Sequence, residues 1–187
     1  LDGLPATSGY AHMNNDAGVT VGKTLVKVGT ADAWRAFRTP ACPQCLISTG
    51  TVLQLPAAPQ GQAPLTNNVA NGVSNTGDAV GASDCWFSRG GAWKNETRAV
   101  LWWQTNSSPV LLGGMYPRDA TDSSKSPGRS EALAVYRHDP SEWNGVTVVG
   151  TAWTTPTGYS RAFVMDVPYN SVNLGNQSWL NGAYMLN

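Results

Sequence analysis

Two polar clusters hold the side chains that could do chemistry in this 187-residue chain: Asn14-Asn15-Asp16 and His138-Asp139. They offer carboxylate, imidazole and the hard oxygen ligands that calcium takes. Each stands at the mouth of a Gly/Asn-rich turn, with Ser74-Asn75 in the same slot midway along the chain. Asn, Asp and Ser favour turns for backbone reasons, so turn work is the primary expectation. Asn15, Asp16, His138 and Asp139 are kept as candidate ligand contacts. A Ser-His-Asp site would have to use His12 or His138. Neither Ser8-Gly-Tyr nor Gly158-Tyr-Ser-Arg forms the strand-to-helix nucleophile elbow. The twelve acids show no glycosidase spacing. Gly90-Gly91 and Gly113-Gly114 read as turns and not as a phosphate loop. No catalytic residue and no cofactor is assigned.

The cysteines are Cys42, Cys45 and Cys85. Cys42-Pro-Gln-Cys45 lacks both the second pair of a zinc set and the following His of a haem attachment site. No metal is expected. The reading left is a disulfide, either Cys42–Cys45 or one of these with Cys85, in an oxidising compartment. Of the eight tryptophans, most are expected to pack and pair across strands, since aromatics carry large buried area. Trp93 and Trp143 stand in polar, loop-like settings and are the candidates for a sugar-stacking surface. Three Asn-x-Ser/Thr triplets, at Asn95, Asn106 and Asn176, match the glycosylation pattern, which matters only in a host with that pathway.

The elements that would position these residues repeat. Ala11-His-Met-Asn-Asn-Asp-Ala-Gly-Val-Thr-Val-Gly22 recurs as residues 70–81 and, stretched near the turn, as residues 134–150. An Arg-Ala element follows each copy, starting at 35, 98 and 161, a constant step of 63 residues. A repeat of this kind must bury its apolar face on its neighbour. Each unit reads as four short strands: a leucine-bearing segment (residues 1–5, 52–56, 110–114, 172–175), the Ala-x-x-aliphatic segment, an Asn/Asp/Gly turn into the Val-x-Val-Gly segment, and the Arg-Ala strand. Residues 56–66 and 118–129 read as exposed loops. The predicted fold is all-β: three four-stranded antiparallel repeats, β-propeller-like and open or partial. It forms one domain, with units at 1–51, 52–109 and 110–171 and a partial unit at 172–187. Propellers close with four to eight blades. Three leave a sheet edge open, and open edges invite pairing. Residues 172–187 are the expected contact, giving self-association into a six-bladed ring or a head-to-tail filament, or binding of a partner protein.

Charged residues are 13%, against about 25% in ordinary domains, and the formal net charge is zero. That argues against a nucleic-acid surface. No apolar run reaches the ~20 residues needed to span a bilayer. The chain starts at Leu1 with no signal peptide, as a processed mature form or an excised fragment would. Low charge with abundant neutral polar residues suits a secreted, extracellular or periplasmic protein.

The pattern Ala-x-x-hydrophobic-Asn-x-x-Gly-x-Val-Val-Gly followed by Arg-Ala-Phe resembles the HAF-type extracellular repeats of bacterial exported proteins. It is clearest at residues 11–22 with Arg35-Ala36-Phe37 and at residues 145–150 with Arg161-Ala162-Phe163. The second copy departs from it, with Val100 after Arg98-Ala99 and Asp78-Ala79-Val80 in the Val-Val-Gly segment. The resemblance implies export and a repetitive β fold and carries no catalytic residues. The expected function is therefore that of a non-enzymatic exported β-repeat protein acting through assembly or protein contact. A lectin-like carbohydrate-binding module is the alternative, and a propeller-type hydrolase or lyase the second.

Overall fold

The computed structural model describes residues 8–42, 50–89, 92–113, 129–153, 160–169, 171 and 184–186. The fold is all-β, with no helix among the described residues and no closed barrel. The first sheet contains β1 (Gly9–Asn14), β2 (Thr20–Val28), β3 (Ala31–Arg38) and β4 (Thr51–Val52). The second contains β5 (Asn68–Val73), β6 (Ala79–Arg89), β7 (Ala92–Trp102) and β8 (Pro109–Gly113). The third contains β9 (Ser130–Arg137), β10 (Gly145–Trp153), β11 (Ser160–Pro168) and β12 (Tyr184–Leu186). Neighbours in each sheet follow chain order and pair antiparallel. This is the blade-like meander that the repeat predicts.

Register explains the repeated Val-x-Gly. Ala11, Ala70 and Ala132 face Gly22, Gly81 and Gly150, and each first strand bulges by one residue just after its alanine. The bulge pushes a carbonyl across the partner strand. A Cβ on those glycines would collide with the carbonyl oxygens of Tyr10, Val69 and Glu131. The glycine is therefore needed in mid-strand and does not end the strand, as its position in the motif suggested; β2, β6 and β10 run on past it.

The same register corrects the third copy. Ala132, not Ala134, is the equivalent of Ala11 and Ala70. Counted from Ala132 to Gly150, the third copy has seven more residues than Ala11 to Gly22: four add two rungs, Tyr136↔Thr147 and Arg137↔Val146, to the β9–β10 hairpin before His138 N–H meets the Gly145 carbonyl at 3.2 Å, and three lengthen the turn. Tyr136 therefore matches Asn15 and Ser74, and His138-Asp139 lies beyond the repeat.

The phase of the units also differs from the sequence reading. The Val52 strand pairs with Phe37 and finishes the first sheet, and the Leu111 strand pairs with Val100 and finishes the second. By the same rule Met185 pairs with Phe163 and finishes the third. Within residues 172–187 the described part thus completes a unit and does not start one. Residues 1–5, 172–175 and 118–128 lie outside the described residues.

The sheets stack in series. One core joins the first and second sheets through Val19, Val21, Ala36 and Leu53 against Ala70, Val73, Val100 and Trp102. The other joins the second and third through Val80, Ala99, Leu101 and Leu112 against Ala132, Val148, Phe163 and Met165. Each sheet thus has a forward face, turned to the next sheet, and a rear face. The first strand of each following sheet lies across the forward face before it: β5 on β1, β2 and β3, then β9 on β5, β6 and β7. This close approach requires Gly72, where a Cβ would stand 2.6 Å from the Leu133 carbonyl oxygen.

Candidate functional site

Polar side chains pin both junctions at equivalent points. Asn68 opens β5; its Oδ1 accepts the Ala36 N–H at 2.6 Å while its amide donates to the Leu53 and Gln54 carbonyls, each at 3.2 Å. Ser130 opens β9; its hydroxyl accepts the Ala99 N–H at 2.9 Å and donates to the Gly113 carbonyl. Gly9 holds this position in β1 and has no side chain to offer. In the third sheet the equivalent alanine, Ala162, pairs with Leu186, as Ala99 pairs with Gly113 in the second.

A second set of pins surrounds the Asn15-type turns. Asn15 is buried; its Oδ1 accepts the Val19 N–H at 2.9 Å and its amide donates across the junction to the Ser74 carbonyl at 2.7 Å. Asp78, 1% exposed, accepts the Gln104 N–H at 2.9 Å and the Thr76 hydroxyl at 2.9 Å. A base reaches it from each side. Arg137 of the third sheet stands 3.6 Å away. Arg38 of the first sheet donates to the Gly77, Trp103 and Gln104 carbonyls. Burial lowers the pKa of Arg38, and the Asp78 charge opposes that shift. Asn15 is thus a junction residue and not a free ligand.

The other sequence candidates are scattered. Asp16 is an exposed turn residue. Asp139 accepts the Ser141 N–H and hydroxyl at 2.9 and 2.8 Å, which hold its carboxyl below the usual range and make it part of a local turn. His138 stands edge-on to Tyr136 and Trp143, and its Nε2 meets the Thr147 hydroxyl at 2.6 Å; that hydroxyl donates to Asp166 at 2.6 Å. Trp143 lies over Gly145, where a Cβ would strike its ring. Trp93 is 37% exposed, near the far end of the β6–β7 hairpin. Trp102 and Trp103 are buried. Among the described residues no set of repeat-equivalent tryptophans forms, so the sugar-stacking reading gains no support from symmetry.

Cys85 is a free, buried thiol, pushed up to about 12 chiefly by burial. A bond from Cys42 or Cys45 to Cys85 is thereby excluded; Cys45 lies outside the described residues. Among the described residues no cluster of three or more His, Cys, Asp or Glu is placed to hold a metal, and no helix is long and apolar enough to cross a membrane.

A cavity of about 190 Å³ opens where the three sheets meet, lined by Lys23, Trp34, Asn67, Asp84, Arg129 and Glu131. Its groups largely satisfy one another. The Lys23 ammonium lies 4.9 Å from the Trp34 ring centroid and 5.4 Å from that of Tyr10. Asn67 accepts the Trp34 N–H and donates to Asp84. Arg129 pairs with Glu131 at 3.3 Å.

The feature that sequence reasoning missed is the forward face of the third sheet. Val21 and Val80 are 0% exposed under their neighbours, whereas the equivalent Val149 is 37% exposed. Ala36 and Ala99 are buried, and the equivalent Ala162 is exposed. Leu133 at 44% and Tyr136 at 59% extend the bare surface, and Asp166 marks its polar end. The repeat places Val21, Val80 and Val149 at one position, before the bulge glycine, but three identical valines carry no sign of which one is uncovered. No family model matches the chain, and neither a curated protein nor a solved structure matches it.

Proposed function

We propose that this chain is a non-enzymatic, exported β-blade protein that works through protein contact at the forward face of its third sheet. One observation carries the reading: a position covered twice within the chain is uncovered the third time, at Val149. Large apolar side chains gathered on one exposed face mark interaction sites. The HAF-type resemblance and the low charge support export to a secreted, extracellular or periplasmic setting. Pairing of Cys42 with Cys45 belongs to the same reading. It is supported by the free state of Cys85 and by the absence of Cys42 from the free thiols.

A photoreactive residue placed at Tyr136 in the producing cell tests the contact. It should form an adduct with a polypeptide, whereas the same group at exposed Asp32 should not. Equal yields from both positions, or none from Tyr136, would reject the reading.

A further inference from the structure

We infer that the open face of the third sheet receives the rear face of a β-blade other than a second copy of these three sheets, and that this blade carries an Arg or Lys at the end of its first strand. The inference rests on the contact reading above and names the occupant. Continuity with the two internal junctions supplies the mating rule: a forward face takes the rear face of a four-stranded sheet, led by that sheet's first strand.

The rule also disfavours a second copy. The rear face still to be mated in this chain would belong to the first sheet. Thr24 and Phe37, which point to that rear side as Ser83, Val100 and Phe163 do in the other sheets, are already 0% exposed. β1 is exposed along its whole length.

Charge selects in the same direction. At the second junction Asp78 on the forward face meets Arg137 of the incoming strand. In the third sheet Thr147 holds the position of Asp78 and is bonded to the exposed carboxylate of Asp166. Asp166 has no cationic partner among the described residues. The residue of β1's own turn that corresponds to Arg137 is Asp16. A second copy would therefore set a carboxylate against Asp166, where a base is needed. Like charges brought together at an interface suppress the wrong partner.

The test appends a copy of residues 66–113, through a flexible linker, to the end of the full chain. In one version Asn75 of the appended sheet, which occupies the same slot, is changed to Arg (Asn75→Arg); in the other it is changed to Asp (Asn75→Asp). Tethering supplies the high local concentration that a weak junction needs. Hydroxyl-radical labelling of Tyr136, read by mass spectrometry, should be lost in the Arg version and retained in the Asp version. Tyr136 labelled in both versions, or an appended sheet that stays unfolded in both, overturns the docking rule while leaving the crosslinking result at Tyr136 to stand or fall alone. A concentration-dependent dimer of the unextended chain with Tyr136 protected overturns the exclusion of a second copy.

Discussion

Replacing Asp78 by alanine should loosen all three sheets at once. Its carboxylate is 1% exposed. It accepts from the Gln104 N–H and from the Ser74 and Thr76 hydroxyls, and it stands between Arg38 and Arg137 from the flanking sheets. Asp78→Ala removes the acceptor and takes the counter-charge from the partly buried Arg38 and Arg137 guanidiniums. Breaking a buried pair by removing one partner costs about 3–5 kcal/mol. For a domain of this size each kcal/mol lowers Tm by about 2–4 °C, so a fall of roughly 6–20 °C is expected. The assay is thermal unfolding followed by far-UV circular dichroism at neutral pH. Asp78→Asn keeps one carbonyl acceptor and the side-chain volume and should fall between the two. Adding Arg137→Met to Asp78→Ala should recover part of the loss, because an orphaned charge is removed. Salt should change the difference little, since a buried carboxylate is weakly screened. A Tm within about 2 °C of wild type for Asp78→Ala would refute the three-sheet pin.

Asn68→Ala leaves the buried Ala36 N–H without its acceptor and should cost about 1–3 kcal/mol in urea unfolding; a neutral result would show that the pin is not formed. Gly72→Ala places a Cβ 2.6 Å from the Leu133 carbonyl oxygen and should destabilise by about 1–3 kcal/mol, lowering the denaturant midpoint at the second junction; an unchanged midpoint would mean that β9 does not cross there. Cys85 should resist alkylation at pH 8 until the chain unfolds. Because its folded pKa is raised from 9.0 to about 12, the unfolded chain loses that proton first, so stability should be complete below pH 9.0 and fall as pH rises towards 12. Cys85→Ala should flatten that alkaline decline, and a decline of equal slope in the variant would rule this origin out.

Much of the fold is legible in the sequence, because a period-2 strand and its turn chemistry are local properties. The 63-residue step, the Arg-Ala strands and the Asn/Asp/Gly turns all fall where the pattern puts them. What is not legible is pairing. Nothing within Val52-Leu53-Gln54-Leu55 says whether it closes the sheet before it or opens the one after it; only the rung Phe37↔Val52 decides. The insertion in the third copy is ambiguous for the same reason, since added rungs and a longer loop leave the same gap in an alignment. His138-Asp139 looked equivalent to Asn15-Asp16 until the bulge after Ala132 fixed the register. Polar side chains misled as a site because their partners lie in another sheet: Asn15 is satisfied by Ser74, 59 residues away. The bare face was hidden because it is defined by a missing neighbour, and a valine at position 149 reads the same whether covered or open.

Hydroxyl-radical labelling of the isolated chain at low concentration tests the open third face most directly. Val21 and Val80 should remain unlabelled while Val149, Leu133 and Tyr136 react. Val149 as well protected as Val21 and Val80 in a monomeric sample would contradict the open face and, with it, the proposed contact.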